Sequence, residues 1–324
     1  MDTDLQYLAQ GGVSVVIPCF GSAATLAGVV MGTRDTFIKL EISRYEILLV
    51  IDDASKETIR AAKKIQEETP EVKVIELTRN YGQHAAIFAG LEESQYEYIV
   101  TMDDDGQHLG SSIPYILEPL RGNIDVVYGI PLADEHNWLR NSSSKFAKYI
   151  TFKFLKIENA RDISSLRAFK RIAVEGIDFR SLNSAVVDVV LNWNTSHFMS
   201  VHVNMSKREN GKSNYSYYKL IKFAIQMITG YSMRPLRIAT FLGLLTFVIS
   251  ISLGLTLLVQ GLKGEITVPG YTSLSIFILF LGSMQLLTLG IIGEYLGRIH
   301  ESSMGKPLYS IRREIDQNVN LLEK

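Results

Sequence analysis

Short runs rich in β-formers alternate with helical patterns from Val13 to Gly129, and that alternation leaves the chain few folds. The runs are VSVVIP from Val13, EILLVID from Glu46, VKVIEL from Val72, EYIVTM from Glu97 and IDVVYG from Ile124. Helix candidates lie between them at Ser55 to Glu68, His84 to Ser94 and Ser111 to Leu120. Strands that alternate with helices predict right-handed crossovers and a Rossmann-like α/β domain with a mainly parallel sheet. Ligands in such sheets bind beyond the carboxyl ends of the strands. Polar residues collect at those ends: Pro18, Phe20 and Gly21 after the first run, Asp52 and Asp53 after the second, Arg79 and Asn80 after the third.

The fourth run ends in DDDGQH, where Asp103, Asp105 and Gln107 occupy alternate positions. Continued strand geometry would point the three side chains the same way. Two carboxylates and an amide oxygen suit a divalent cation of the magnesium or manganese type, which keeps positions open for substrate phosphates. The alternative for DDDG alone is a solvated acidic turn that closes the strand. Recurrence of ligand-type residues at four strand ends favours a nucleotide diphosphate site.

The chain has 324 residues, which fits one domain with an appendage as well as two domains. With 33 basic against 34 acidic residues and no zinc-finger or RNA-binding signature, nucleic acid is excluded as a partner. Cys19 is the only cysteine, so the chain forms no internal disulfide and no thiolate metal cage, and Cys19 reads as a small buried hydrophobe. The opening MDTDLQYLAQGG lacks the features of a secretory signal.

Two long apolar stretches follow, Leu236 to Leu262 and Ser273 to Ile299. Each exceeds the roughly 20 residues a helix needs to cross a bilayer. They predict a pair of transmembrane helices, at 236–260 and 273–297, joined by a short linker. Arg234 and Arg237 precede the pair, and Arg298, Lys306, Arg312 and Arg313 flank its far end. The positive-inside rule then puts both termini in the cytoplasm. The sequons at Asn141, Asn194 and Asn204 are accidental in that topology. The expected organisation is a catalytic domain over 1–232, the membrane pair over 233–300 and a tail over 301–324. Segments 145–157 and 214–231 mix lysines with aromatic and aliphatic residues, as helices lying in a membrane interface do. The charged tail from Ser310 has a helical pattern suited to packing on a second copy of the chain.

VVIPCF, VIDDAS, LTRNYGQHAAIFAGL, TMDDDGQH, LRAFKR, RENGKSNYS, RPLRIATFLG and GIIGEYLGRI run in an order that resembles the family-2 glycosyltransferases of the GT-A fold. The nearest resemblance is to the polyprenyl-phosphate branch: undecaprenyl-phosphate formamidoarabinose transferases, bactoprenol glucosyltransferases and, more distantly, dolichol-phosphate mannose synthases. It covers almost the whole chain. DDDGQH departs from the commoner DADLQ, and DISSLRAFKR from the usual approach to its central arginine.

The resemblance implies an inverting, metal-dependent transfer of sugar from a UDP-linked nucleotide to polyprenyl phosphate at the bacterial inner membrane. It assigns Asp52 or Asp53 to the nucleoside, with Pro18, Phe20, Arg79, Asn80, Gly82 and Asp104 shaping that pocket. Asp103 lies against ribose and metal, and Asp105 and Gln107 bind the Mg2+ or Mn2+ ion. RENGKSNYS is not a P-loop, since Ser206 stands where a glycine is required. The resemblance instead places Arg208 on the donor diphosphate.

A lipid monophosphate is already ionised near neutral pH, so it needs no strong general base. It does need cations, and Arg161, Arg167, Arg234 and Arg237 are the candidates, with Asp162 a further catalytic participant. His84 and His108 are weaker candidates as bases. Competing readings are a transferase with another lipid or saccharide acceptor, and a non-catalytic module that helps move lipid-linked sugars.

Overall fold

The computed structural model describes residues 5–52, 55–132, 162–182, 186–206, 234–263 and 270–312. The chain forms two compact units. One comprises Met1–Asn141, Ile157–Ser213 and Lys306–Lys324; the other comprises Ser142–Lys156 and Asn214–Gly305.

The first unit is built on a seven-stranded sheet. Its strands are β1 (Val13–Cys19), β2 (Tyr45–Ile51), β3 (Val72–Glu76), β4 (Tyr98–Thr101), β5 (Val126–Pro131), β6 (Arg167–Lys170) and β7 (Phe198–Val203). The order across the sheet is β3-β2-β1-β4-β6-β5-β7. Only β6 runs antiparallel to its neighbours, so the predicted mainly parallel sheet is present. Five of the seven strands are the β-prone runs of the sequence.

Every residue of β1 and β2 is buried, as a strand covered on both faces requires. Alternate side chains serve two separate cores. Val13, Val15 and Ile17 join Ile47, Leu49 and Val100 on one face, with Leu26, Val30 and Phe37 of helix α2 (Leu26–Lys39). Val16, Leu48, Val50 and Ile99 meet the other face, with Ala86, Ile87 and Phe88 of a later helix, Gln83–Glu93. Helix α3 (Lys56–Glu68) fills the place expected for it after β2, and Gln83–Glu93 is α4. The expected helix from Ser111 to Leu120 is broken: only Ile113–Leu117 (α5) is α-helical, between two short 3₁₀ turns.

The strand order reverses beside β1, since β2 and β3 lie on one side and β4 on the other. Connections therefore leave in opposite directions there and open a crevice at the carboxyl ends, the place where open α/β sheets bind ligands.

The second unit contains two long helices, Arg234–Leu262 (29 residues) and Tyr271–Ser303 (33 residues), packed on each other. Large apolar side chains along them, including Phe241, Leu245, Leu286 and Leu289, are exposed. Parts of both helices lie outside the described side chains, and among the described residues no helix is long and apolar enough to cross a membrane. The segments expected to lie in the interface, 145–157 and 214–231, fall outside the described residues.

Candidate active site

A cavity of about 340 Å³ opens at the crevice beside β1. Its lining is Pro18, Cys19 and Phe20 from β1 and beyond, Asp52 from β2, Asn80, Gly82 and Gln83 before and at the start of α4, and Asp103, Asp104 and Asp105 after β4. Four strand ends thus converge on one cavity of the size small ligands occupy, about 300–1,000 Å³. Eight of the residues expected to bind donor or metal lie in that wall: Pro18, Phe20, Asp52, Asn80, Gly82, Asp103, Asp104 and Asp105.

Asp52 is 3 % exposed, and its two carboxylate oxygens accept the backbone N–H groups of Tyr81 (2.6 Å) and Gly82 (2.7 Å). The carboxylate thus sits at the start of α4, where the helix dipole favours negative charge. It caps the loop ahead of α4 and not α3, whose N-cap is Ser55. Gly82 takes φ +94, a conformation that side chains resist, and so turns the chain into the helix. Arg79 lies over the Tyr81 ring at 4.5 Å, which fixes the outer part of the same loop. Asp53 lies outside the described residues.

The aspartate cluster corrects one expectation. β4 ends at Thr101, and residues 103–107 form a turn that includes Gly106 at φ +75, so strand alternation does not align the three ligand candidates. Asp103 and Asp105 still face the cavity, but Gln107 is not in its wall. Gln107 instead donates its backbone N–H to Asp105 at 3.0 Å, and its carbonyl accepts from Ser206. Asp103 is held on both sides, by Gln83 Nε2 and Ser165 Oγ, each at 2.6 Å. Asp104 accepts the Phe20 N–H at 2.8 Å and so joins the ends of β1 and β4. Burial pushes its carboxyl up, against the opposing pull of the Phe20 hydrogen bond. Phe20 leaves its ring 63 % exposed at the cavity mouth.

Among the described residues no group of three or more His, Cys, Asp or Glu side chains forms a metal cage. A magnesium-type ion needs none: it takes one or two carboxylates and keeps water or substrate phosphate in its other positions. Asp103 and Asp105 fit that requirement.

The residues expected at the acceptor side are placed differently. Arg167 is 3 % exposed, and its Nη1 donates to Asp188, itself buried on helix α6 (Val187–Asn194), at 2.5 Å. Tyr128 donates to the same carboxylate oxygen at 3.0 Å. The expectation of a phosphate-facing Arg167 is therefore corrected: the β6 strand turns this side chain into the core beneath the site. Asp162 accepts Ser200 Oγ from β7 at 2.6 Å and does not line the cavity. Arg237 is exposed on the first long helix. Arg161, Arg208 and the side chain of Arg234 lie outside the described residues.

Neither histidine lines the cavity. His108 is buried, its Nδ1 accepts the Asp103 N–H, and burial holds its pKa low. His84 is pushed down to about 4 by burial and then by the Arg167 charge. Cys19 is buried with its thiol donated to the Ile17 carbonyl, and burial pushes its pKa up, which makes it an inert wall residue.

Gln83 and Ser165, which orient Asp103, and Asp188, which holds Arg167, were not anticipated from the sequence. Gln83 carried a usable signal, since a polar residue opening a helix after a strand end faces the crevice.

The family model "Glycosyl transferase family 2" matches residues 14–177, which span β1 through β6 and every residue of the cavity wall. The chain belongs to glycosyl transferase family 2. The "GtrB C-terminal hairpin" model matches residues 234–299, the two long helices. The family-2 chain is 30 % identical to an undecaprenyl-phosphate 4-deoxy-4-formamido-L-arabinose transferase of Aeromonas hydrophila, over 93 % of each chain. It is 28 % identical to a bactoprenol glucosyl transferase of a Shigella phage, over 93 % of this chain and 98 % of that one. Among solved structures, glucosyl-3-phosphoglycerate synthase from Mycobacterium tuberculosis, crystallised with Mn2+, UDP and glucosyl-3-phosphoglycerate, aligns with TM-score 0.50 at 16 % identity. That alignment covers 68 % of this chain and 79 % of the other, and identifies the sheet as GT-A-like.

Proposed function

We propose that this glycosyltransferase moves a sugar from a UDP-linked donor to a polyprenyl phosphate, with inversion and with the help of Mg2+ or Mn2+. The observation that carries this reading is the single cavity at which Asp52, Asn80, Gly82, Asp103 and Asp105 converge from four strand ends. Relatives at 28–30 % identity over most of the chain are named for bactoprenol and undecaprenyl phosphate, which supports the acceptor class.

In this reading Phe20 offers its ring to the base, and the loop fixed by Asp52 shapes the nucleoside side of the cavity. Asp103 and Asp105 would hold the cation, which when bound supplies positive charge to the departing diphosphate. Gln83 and Ser165 keep Asp103 from swinging away. Arg208 is assigned to the diphosphate, where its planar fork suits phosphate oxygens. Arg161, Arg234 and Arg237 supply cationic charge for the acceptor, and the lipid phosphate itself attacks the anomeric carbon. His84 and His108 both lie outside the cavity wall, which supports a nucleophile that needs no histidine base.

The two long helices are proposed as a membrane hairpin with the catalytic unit on the cytoplasmic side. Their exposed apolar side chains, the flanking basic residues and the hairpin match support it.

Purified full-length protein in lipid, given undecaprenyl phosphate and a panel of sugar nucleotides, tests the reading. Nucleotide release that requires both the lipid and a divalent cation is expected. No release from any donor would overturn it.

A further inference from the structure

After the second long helix the chain re-enters the first unit and crosses the outer edge of the sheet. Ser310 O accepts the Thr78 N–H at 3.0 Å, and Arg312 N donates to Glu76 O at 2.7 Å. Leu77 and Ile311 form an antiparallel bridge, so 310–312 adds a short rung to β3, otherwise the edge strand. Tyr309 is 2 % exposed and packs with Leu77, Ile87 and Leu91 in the core on that face, with Leu308 and Ile311 against it. Its hydroxyl donates to Glu92 at the end of α4, and Glu92 also pairs with Arg180 at 2.9 Å. Arg312 adds an ion pair to Glu76 at 3.2 Å.

Covering an edge strand is one use for such a segment. The contacts point further, because both anchor points lead into the cavity wall. Thr78 opens the loop that holds Asn80 and Gly82, and its hydroxyl is 2.9 Å from the Tyr81 hydroxyl. The Ser310 side chain also reaches the same Tyr81 hydroxyl, and this proximity lowers the tyrosine's pKa from its ordinary value. Glu92 sits at the far end of the helix whose first residue, Gln83, bonds Asp103.

We infer that Tyr309, Ser310 and Arg312 are positioning residues for the donor loop Thr78–Gly82. The strap fixes the loop from outside while Asp52 fixes it from inside, and donor affinity depends on both. Loss of the strap leaves the loop's backbone free to leave the geometry that Asn80 and Gly82 need at the cavity. The inference rests on reading the cavity as the donor site.

Arg312→Pro removes the N–H that bonds Glu76 and blocks the rung, and Ser310→Ala removes only the contact to Tyr81. Both are made in the full-length protein and assayed in lipid. We expect Ser310→Ala to raise the KM for the sugar nucleotide about fivefold, the factor that one ordinary hydrogen bond carries. Arg312→Pro should raise it further. In both, kcat at saturating donor and the KM for polyprenyl phosphate should stay within about twofold of wild type. An unchanged donor KM in Ser310→Ala, or a fall in kcat with donor KM unchanged, would overturn the inference. If Arg312→Pro does not fold, Ser310→Ala decides alone. Wild-type protein that binds no sugar nucleotide would instead sink the donor-site reading, and the two failures are distinct.

Discussion

Replacing Asp52 by asparagine puts a single atom against the donor loop. Its carboxylate accepts two backbone N–H groups, from Tyr81 at 2.6 Å and Gly82 at 2.7 Å, in a site 3 % exposed. Asparagine keeps one acceptor oxygen and turns an NH₂ toward the other N–H. One charge-assisted hydrogen bond is lost, worth about 1.5–3 kcal/mol. The negative charge at the start of α4 goes with it, for about another 0.3–1 kcal/mol. A total of about 2–4 kcal/mol follows. At about 2–4 °C per kcal/mol for a unit of this size, the melting temperature of the catalytic unit should fall by roughly 4–16 °C. Because the strained atoms belong to the loop carrying Asn80 and Gly82, UDP affinity should fall as well. Thermal melting of the purified protein in lipid, with UDP titrations on the same samples, measures both. A shift under about 1 °C with unchanged UDP affinity would show that Asp52 does not hold this loop.

Asp105→Asn should lower transfer by about a hundredfold or more while the melting temperature stays near wild type, since the side chain faces the cavity and its charge is what a cation needs; near-normal turnover would remove Asp105 from the cation site. Arg167→Met leaves Asp188 buried and without its cation, and should cost about 3–5 kcal/mol in denaturant unfolding. A stable Arg167→Met protein with a raised KM for lipid phosphate would restore Arg167 to the acceptor site. His84 titrates near 6.5 when unfolded but is pushed down to about 4 in the fold. Its neutral form therefore stabilises the fold fully above about pH 6.5, and that contribution is lost as pH falls toward 4. His84→Gln should flatten the stability profile across that window, as denaturation midpoints at several pH values would show; an unchanged slope would contradict the burial of His84.

The parallel sheet was legible because its strands are buried on both faces. VSVVI and EILLVI carry that burial as near-continuous apolar runs, with only Ser14 and Glu46 as polar members, and local pattern alone detects them. The polar strand ends were legible for the complementary reason: a buried run has to stop where the chain reaches solvent. Three features were not. The turn after Thr101 breaks strand alternation through Gly106, and no pattern in DDDGQH marks where pairing ends. Arg167 lies on an antiparallel strand whose inward face is set by pairing with β4 and β5, far away in sequence. The docking of Tyr309 and Ser310 depends on partners at Glu92 and Thr78, more than two hundred residues back, and Ser310 to Arg312, where the charged tail begins, pair at a sheet edge, while the rest of the tail lies outside the described residues. The exposed apolar faces of the long helices follow directly from their composition.

Calorimetric titration of UDP into the full-length protein in lipid, with Mn2+ present and then with the metal chelated, bears most directly on a cation-assisted donor site at the carboxyl edge of the sheet. We expect binding that is lost on chelation and weakened in Asp105→Asn. Binding of UDP that is indifferent to both, or absent in every condition, would contradict the assignment of this cavity.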